Sequence, residues 1–220
     1  MSMKRNKSTR LLLIRHGESM ANREQVFSGH YDVELEEKGK LQAELTAKYV
    51  TGNYEIDMVY ASDLKRAYET GKVVADKIGK EIVTDVRLRE IYGGEWEEVK
   101  FAELPNLFPN DFKTWKEDIG NVRCTGGESI KEMAQRVYEA VYEIAKKNIG
   151  KTIVVATHAT PIRALQSMIQ FGGTEKMQEI DWVTNASVSE LVYAEGSWEY
   201  MKIGYDEHLA ELSTGLPKNI

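Results

Sequence analysis

Short apolar runs alternate with longer amphipathic segments along most of the chain. The apolar runs lie at 10–14, 56–60, 81–84 and 153–156. They are apolar on both sides of an extended chain, which is typical of strands that are covered by helices on both faces. The amphipathic segments lie at 36–50, 64–78, 128–147 and 160–170. This alternation predicts right-handed crossovers and a three-layer α/β/α fold with a mostly parallel central sheet.

The spacing of apolar residues predicts the buried face of each long helix. Leu41, Leu45 and Tyr49 lie four residues apart, so they predict an inward stripe on the first of these helices. Asp63 stands directly before the next helix and is predicted to cap it. The helix over 128–147 is predicted to bury four apolar side chains, namely Met133, Val137, Val141 and Ile144.

Several segments depart from the alternation. The apolar stretches at 188–194 and 198–203 predict an antiparallel hairpin, and with it one antiparallel strand near the C-terminus. Residues 91–127 contain many aromatic residues and two of the four prolines, and they predict a helical insertion over one end of the sheet. Residues 1–9 predict a frayed basic tail. No repeat or linker-like tract interrupts the sequence, which favours a single domain over 1–220.

The composition is that of a globular protein with a modest acidic excess. Lysine and arginine number 29 against 35 aspartates and glutamates, which gives a net charge of −6. This balance disfavours general nucleic-acid binding and, taken alone, a phosphorylated partner as well. Cys124 is the single cysteine, so neither an intrachain disulfide nor a thiolate-based zinc site is expected. No apolar run reaches the ~18 residues of a membrane span, and we expect a cytoplasmic protein.

Polar residues whose side chains can bind ligands or take part in catalysis follow the predicted strands. They are Arg15 and His16 after the first strand, Arg66 one helical turn past the second, Glu90 past the third and His158 past the fourth. Ligands bind beyond the carboxyl ends of the strands in open α/β sheets, so these side chains are predicted to converge. Each residue alone also fits a structural role, such as an ion pair between Arg66 and Asp63.

This set of side chains is suited to phosphoryl transfer. Arginine presents forked donors to phosphate oxygens and remains charged. A histidine nitrogen can attack phosphorus and hold the group covalently. A nearby carboxylic acid can protonate the leaving oxygen and then activate water. Two arginines and a second histidine supply the charge stabilisation that the transfer requires, without a metal ion.

The order of short motifs resembles that of the histidine phosphatase superfamily, also called phosphoglycerate mutase-like. The matching motifs extend over about residues 11–163, with one more at 206–209. They are LIRHGES at 13–19, FSGHYD at 27–32, LEEKG at 35–39, ASDLKRAYET at 61–70, LRE at 88–90, GEWE at 94–97, GGES at 126–129, ATH at 156–158 and PIR at 161–163. Each motif is moderately specific, and the ordered set is highly specific.

The resemblance implies a role for each residue of the site. His16 would be the phosphorylated nucleophile, and Glu90 would be the proton donor and later the base. Arg15, Arg66 and His158 would hold the phosphoryl oxygens. Contacts with phosphate or substrate are implied for four further positions, Asn22, Ser28, Gly29 and Ala159. At the last of these many relatives have glycine, and the small alanine is expected to preserve the geometry.

The segment after Glu90 separates the two activities of the family. Its GEWE sequence resembles the phosphatase pattern, whereas bisphosphoglycerate-dependent mutases have a pattern similar to ERHYGGL and a longer insertion with paired arginines. Here no Arg-Arg pair occurs, and Arg123 is the only arginine of residues 91–127. A mutase needs extra positive charge for its doubly phosphorylated intermediate. We therefore favour a phosphomonoester hydrolase acting on small phosphorylated metabolites.

Two alternatives stay open. Residues 28–32 are close to the mutase form, so a phosphoglycerate mutase is the first alternative, and it alone would need a 2,3-bisphosphoglycerate primer. The second is a non-catalytic module that binds a phosphorylated ligand, although all five catalytic residue types are present. GKT at 150–152 lacks the first glycine of a phosphate-binding loop, and the four histidines lack metal-site spacing. We expect no metal, no other cofactor and no membrane or nucleic-acid partner, and the oligomeric state, a homodimer included, stays open.

Overall fold

A six-stranded sheet organises the computed structural model, which describes residues 7–215. The strands are β1 Ser8–Arg15, β2 Met58–Ala61, β3 Ile82–Thr84, β4 Thr152–Thr157, β5 Val188–Ala194 and β6 Ser197–Tyr205. Their order in the sheet is β3-β2-β4-β1-β5-β6. Strands β1 to β4 run parallel, and β5 is antiparallel to both of its neighbours. The predicted sheet, with one antiparallel strand at the C-terminal hairpin, is confirmed.

The two faces of the sheet enter separate apolar cores. Leu11 and Leu13 of β1 face one core, and Leu12 and Ile14 face the other. Successive side chains of a strand point to opposite faces, so this unbroken apolar run requires cover on both sides. Helices provide that cover, and the three-layer α/β/α prediction is confirmed.

Seven α-helices lie within the described residues. They are α1 Met20–Glu24, α2 Glu37–Asn53, α3 Lys65–Lys77, α4 Leu104–Leu107, α5 Pro109–Glu117, α6 Ile130–Lys147 and α7 Ala159–Phe171. Helices α2 and α3 pack on the face of Leu12, while α6 and α7 pack on the face of Leu11. The four inward side chains predicted for α6 are all buried.

The apolar stripe predicted for α2 is wrong at Leu41, whereas Tyr49 is half-buried and packs against the core of Leu12. Leu41 is 56% exposed, and the buried face carries small and polar side chains instead. The amide oxygen of Gln42 accepts the backbone N–H of Glu18 at 2.8 Å, and the Thr46 hydroxyl donates to the Ala186 carbonyl at 2.8 Å. Buried polar groups are tolerated when they are hydrogen-bonded. The spacing of large apolar residues therefore missed the small and polar part of the buried face.

The start of α3 also differs from the prediction. Leu64 is the N-cap residue, and no side chain caps the helix. The Asp63 carboxylate instead accepts two hydrogen bonds from the Arg89 guanidinium, at 2.5 and 2.7 Å. Such a bidentate pair is stronger than a cap bond to a neutral donor. Arg66 does not pair with Asp63, because its side chain turns into the interior.

Residues 91–127 form two short helices, α4 and α5, with 3₁₀ turns at Gly94–Trp96 and Ile119–Asn121. Trp96 is fully buried, and its ring lies 5.5 Å from Phe27 and 5.7 Å from Trp115 between centroids. This aromatic packing attaches the insertion to the rest of the molecule.

The first described residues already belong to the sheet. Strand β1 begins at Ser8, so the predicted tail is wrong for residues 8 and 9, and residues 1–6 lie outside the described residues. A 3₁₀ turn at Glu207–Leu212 follows the hairpin. Between residues 7 and 215, no helix combines the length and apolar character needed to cross a membrane.

Candidate active site

A small cavity opens where β1, β2 and β4 end. Its wall includes eight of the predicted site residues, Arg15, His16, Asn22, Ser28, Gly29, Arg66, Glu90 and Ala159. The ninth, His158, lies beside His16, with the ring centroids 5.2 Å apart. The cavity volume is about 60 Å³. A water molecule needs roughly 10–15 Å³ in this measure, so the space suits a phosphoryl group and the first atoms of its alcohol.

His16 occupies the first position after β1. Its backbone N–H donates to the Thr157 carbonyl of β4 at 3.0 Å, which fixes it between the two central strands. Nδ1 lies 2.7 Å from the Gly17 carbonyl, so Nδ1 carries the proton and Nε2 keeps a free lone pair. Burial, then the charges of Arg66 and Arg15, hold the pKa of His16 well below its usual range. The ring is therefore neutral at neutral pH, the form in which an imidazole nitrogen can attack an electrophile.

Two buried arginines bring positive charge to the cavity. The Arg15 guanidinium donates to the Val183 carbonyl at 2.5 Å, and Arg66 donates to three carbonyls of residues 28–31 at 2.6 to 3.1 Å. Among residues 7–215, neither has a carboxylate within ion-pair distance, and the Nε of each is buried without a partner. Burial lowers the pKa of both to about 10, so both remain charged at neutral pH. Guanidinium groups fixed by carbonyls keep donors for an anion.

His158 is fully buried beside His16. Its Nε2 lies 2.9 Å from the Ser62 hydroxyl, which follows β2, and its Nδ1 has no partner among the described residues. Burial, then Arg66 and His16, lower the pKa of His158 well below its usual range. A phosphoryl dianion beside the ring would raise that pKa, because an opposite charge favours the imidazolium. The residue is therefore suited to respond to a bound phosphoryl group.

Glu90 is held by two backbone donors. Its carboxylate oxygens accept the N–H of Ile91 at 2.9 Å and the N–H of Thr160, in the first turn of α7, at 3.3 Å. Burial raises the pKa of Glu90 above its usual range, and the Ile91 bond and the Arg66 charge offset part of that rise. A carboxyl group with a raised pKa can hold a proton until a leaving group takes it.

Arg136 of α6 supports the segment that carries Glu90, and sequence reasoning missed it. Its guanidinium donates to the carbonyls of residues 87, 89 and 90, each at 2.8 Å, and pairs with both oxygens of Glu128. Glu128 belongs to the GGES motif, whose purpose the sequence left unassigned. The motif therefore contributes to the backbone of the site.

Asn185 supports the opposite side of the site and was also missed. Its Nδ2 donates to the His16 carbonyl and to the Asn22 side-chain oxygen, both at 3.1 Å. Asn185 stands before β5, whereas the predicted site residues were those that follow strands. Because β5 is antiparallel, its beginning lies at the edge where the parallel strands end. The direction of β5 was the signal that could have revealed Asn185.

Aromatic side chains form the outer wall of the cavity. Phe101 and Trp115 come from the insertion, and they are joined by Phe27 and Trp182. Trp182 lies 4.4 Å from the Arg163 guanidinium on one side and 6.4 Å from the Trp115 ring on another. In the described part of the wall, the cationic side chains are Arg15 and Arg66, which lie near His16 and away from the aromatic wall. The arrangement can therefore hold one phosphoryl group and an apolar portion of a ligand.

Among the described residues, few side chains are available to bind a metal ion or to react as a thiol. Across residues 7–215, no three His, Cys, Asp or Glu side chains are grouped to hold a metal ion. Cys124 is buried and free, and burial raises the pKa of its thiol. The expectation that the reaction uses neither metal nor cofactor stays a prediction.

Fold and site together define an α/β enzyme that presents a histidine between two arginines at the edge of its sheet. The family model described as the histidine phosphatase superfamily, branch 1, matches residues 11–206. The chain belongs to the histidine phosphatase superfamily, as its motifs predict.

Relatives of known sequence and structure agree with this assignment. Phosphoglycerate mutase-like protein 4 of Arabidopsis thaliana is 33% identical, over 91% of this chain and 87% of its own. Phosphoserine phosphatase 1 of Hydrogenobacter thermophilus is 32% identical, over 92% and 95%. The solved structure of a mycobacterial glucosyl-3-phosphoglycerate phosphatase superimposes with a TM-score of 0.82 at 26% identity, covering 90% of this chain and 100% of that one. The predicted class, a histidine phosphatase-type enzyme, is confirmed.

Proposed function

We propose that this protein hydrolyses phosphomonoesters of small molecules through a phosphohistidine at His16. The observation that carries the proposal is a neutral His16 with a free Nε2, set beside two charged, buried arginines. Relatives named as phosphoserine phosphatase and glucosyl-3-phosphoglycerate phosphatase support a small phosphorylated substrate.

In the first step, His16 Nε2 attacks phosphorus in line with the ester oxygen. An N–P bond forms and the P–O bond to the alcohol breaks, while protonated Glu90 gives its proton to the departing oxygen. Arg15, Arg66 and His158 stabilise the charge on the three remaining oxygens. The products are the free alcohol, the phosphohistidine and the Glu90 carboxylate.

In the second step, water attacks the phosphohistidine. The Glu90 carboxylate takes a proton from the water as the new P–O bond forms and the N–P bond breaks. Inorganic phosphate leaves, His16 returns to the neutral imidazole and Glu90 returns to the protonated acid. The cycle consumes one water and, as we propose it, needs no metal and no cofactor.

Hydrolysis is favoured over mutase activity by the charge of the cavity wall. Beyond Arg15 and Arg66, the outer wall carries aromatic side chains such as Phe101 and Trp115. A bisphosphorylated intermediate would place a second multiply charged group against that apolar surface. We therefore propose no 2,3-bisphosphoglycerate primer for this enzyme.

Single-turnover kinetics of His16→Ala test the proposal. The parent enzyme, mixed with a labelled phosphomonoester and quenched in alkali, is expected to carry acid-labile phosphate. His16→Ala is expected to carry none and to lose at least about 10³-fold in kcat. His208→Ala, which removes a histidine beside β6, serves as the matched control.

Three outcomes would contradict the proposal. Parent-like turnover by His16→Ala would remove the nucleophile from the mechanism. Efficient isomerisation of 3-phosphoglycerate with a bisphosphate primer would establish the mutase. Phosphate binding without turnover of any phosphomonoester in a broad panel would establish a binding module.

We further propose a cytoplasmic enzyme whose partner is its small substrate, without nucleic acid or membrane. A single cysteine, Cys124, suits a reducing compartment, and the acidic net charge disfavours polyanions. Light scattering on the purified protein distinguishes a monomer from a homodimer.

A further inference from the structure

Glu97 joins two neighbouring loops that both contribute to the cavity wall. One carboxylate oxygen accepts the backbone N–H of His30 at 2.7 Å and that of Gly93 at 2.8 Å. The other oxygen accepts the N–H of Tyr31 at 2.9 Å. His30 and Tyr31 lie in the loop between α1 and α2, whereas Gly93 lies in the segment that follows Glu90. Three hydrogen bonds to a charged acceptor fix the two loops relative to each other.

One peptide group connects Glu97 with Arg66. The peptide between Gly29 and His30 donates its N–H to Glu97, and its carbonyl accepts from Arg66 at 2.9 Å. The carboxylate and the guanidinium therefore bind opposite ends of the same peptide dipole. The charge of Glu97 also counters, in part, the burial that lowers the pKa of Arg66.

The close approach of these groups depends on glycine at position 29. A Cβ atom there would collide with the Ile91 carbonyl oxygen and with the Glu97 carboxylate. Any larger residue would push the loop away from both. Gly29 therefore allows one peptide to lie between a carboxylate and a guanidinium.

We infer that Glu97 is a positioning residue that sets Arg66 for the phosphoryl group without competing for it. A carboxylate in direct contact with Arg66 would occupy the donors that a phosphate needs. Contact through the peptide uses one N–H of Arg66 Nη2 and leaves Nε, which has no partner among the described residues. The bond to Gly93 also fixes the separation between Arg66 and Glu90. The inference rests on the proposed function, because that function assigns Arg66 to phosphoryl binding.

Glu97→Gln tests the inference because it keeps the shape of the side chain and removes its charge. Its amide oxygen can keep two of the bonds, while its NH₂ group faces the N–H of Tyr31. We expect kcat/KM to fall about 10- to 100-fold, because displacement of a positioned group has effects of this size. The inhibition constants of orthovanadate and inorganic phosphate should rise in the same variant. Glu98→Gln, the exposed neighbour, is the matched control and should match the parent.

Two more variants distinguish positioning from simple stabilisation. Glu97→Asp keeps the charge at a shorter reach and should recover part of the lost phosphate affinity. Combined with Arg66→Lys, Glu97→Gln should cost less than it does alone, because both changes act on one contact. Thermal melts of every variant report stability separately from kinetics.

Comparing the inhibition constants of the variants with their melting temperatures decides between positioning and stabilisation. If Glu97→Gln melts earlier but keeps the kcat/KM and both inhibition constants of the parent, the inference is overturned. If that variant does not fold, Glu97→Ala, which removes both the charge and the three acceptor bonds, carries the same readouts, and unchanged inhibition there also overturns the inference. Failure of orthovanadate to inhibit the parent would instead count against the proposed function.

Discussion

Burial shifts the pKa values of two side chains of the site in opposite directions. It lowers the pKa of His16 and raises the pKa of Glu90, and it is the largest cause of both shifts. The physical reason is the same for both, because a poorly solvated site disfavours whichever form is charged. The two shifts favour the neutral imidazole of His16 and the protonated carboxylic acid of Glu90. These are the two forms that the first step of the proposed reaction consumes.

The alkaline limb of the pH dependence of kcat/KM should report Glu90, and the acid limb should report His16. Glu90 loses its proton as pH rises through its raised pKa, so kcat/KM for an alkyl phosphate should fall on the alkaline side. His16 gains a proton only below its lowered pKa, so the acid limb should lie below the usual histidine range. Glu90→Gln should turn over alkyl phosphates about 10²-fold or more slowly and lose the alkaline limb.

Leaving-group comparison checks the role of Glu90. The loss in Glu90→Gln should be smaller for p-nitrophenyl phosphate, since nitrophenolate departs without a proton. The measurement is kcat/KM against pH for both substrates, in the parent and in the variant. An equal loss for both substrates would contradict the assignment of Glu90 as the acid.

Secondary-structure elements were more predictable than the contacts between them. The apolar run of β1 and the inward face of α6 follow directly from periodicity, because both are covered by apolar neighbours. The face of α2 does not, because Gln42 and Thr46 are buried through hydrogen bonds to residues distant in sequence. Spacing predicts what a side chain prefers, and it does not identify a partner that another element provides.

The site also divides into side chains that could be predicted and contacts that could not. Five site residues could be named from their places after predicted strands, and the resemblance added Asn22, Ser28, Gly29 and Ala159. Eight of the nine line one cavity, and His158 lies beside His16. Arg136, Asn185 and the contacts of Glu97 could not be assigned, because they act on backbone groups whose positions depend on the folded loops. A motif identifies a residue type and its place along the chain, while a backbone hydrogen bond exists only after the loops are placed.

The start of α6 offers a test of an element in isolation. The Ser129 hydroxyl accepts the N–H of Glu132 at 3.2 Å, and the Glu132 carboxylate accepts the N–H of Ser129 at 3.0 Å. Ser129→Ala should reduce the free energy of unfolding by about 1 kcal/mol, the usual loss for such a cap. Urea denaturation measures the change. Ser197→Ala, at an exposed serine, is the control, and equal stability of the two variants would show that the cap contributes nothing.

For the whole molecule, net charge and local charge have opposite signs. The chain carries −6 overall, whereas the cavity presents Arg15 and Arg66 against the single carboxyl group of Glu90. Charges separated by more than a Debye length are largely screened, so the acidic surface acts weakly on a ligand already in the cavity. Attraction for a phosphate is therefore short-ranged, which favours small monophosphates over long polyanions.

Varying the ionic strength tests whether the acidic surface acts only weakly on a ligand in the cavity. As the Debye length falls from about 30 Å to about 8 Å, kcat/KM for a small monophosphate should stay constant or rise slightly. Salt would screen the unfavourable surface and leave the buried contacts unchanged. The measurement is kcat/KM in a series of sodium chloride concentrations. A steep fall would show long-range attraction by the surface and contradict the expectation.

The position of β4 between β1 and β2 determines when the site can assemble. β4 pairs with both of those strands, which do not pair with each other. Because β4 begins at Thr152, a ribosome has made most of the chain before this strand exists. Contacts between such distant segments form slowly. His16 and His158 meet only when β4 enters the sheet, so the nascent chain brings these two histidines together late, before β5 adds its core residues beside β1.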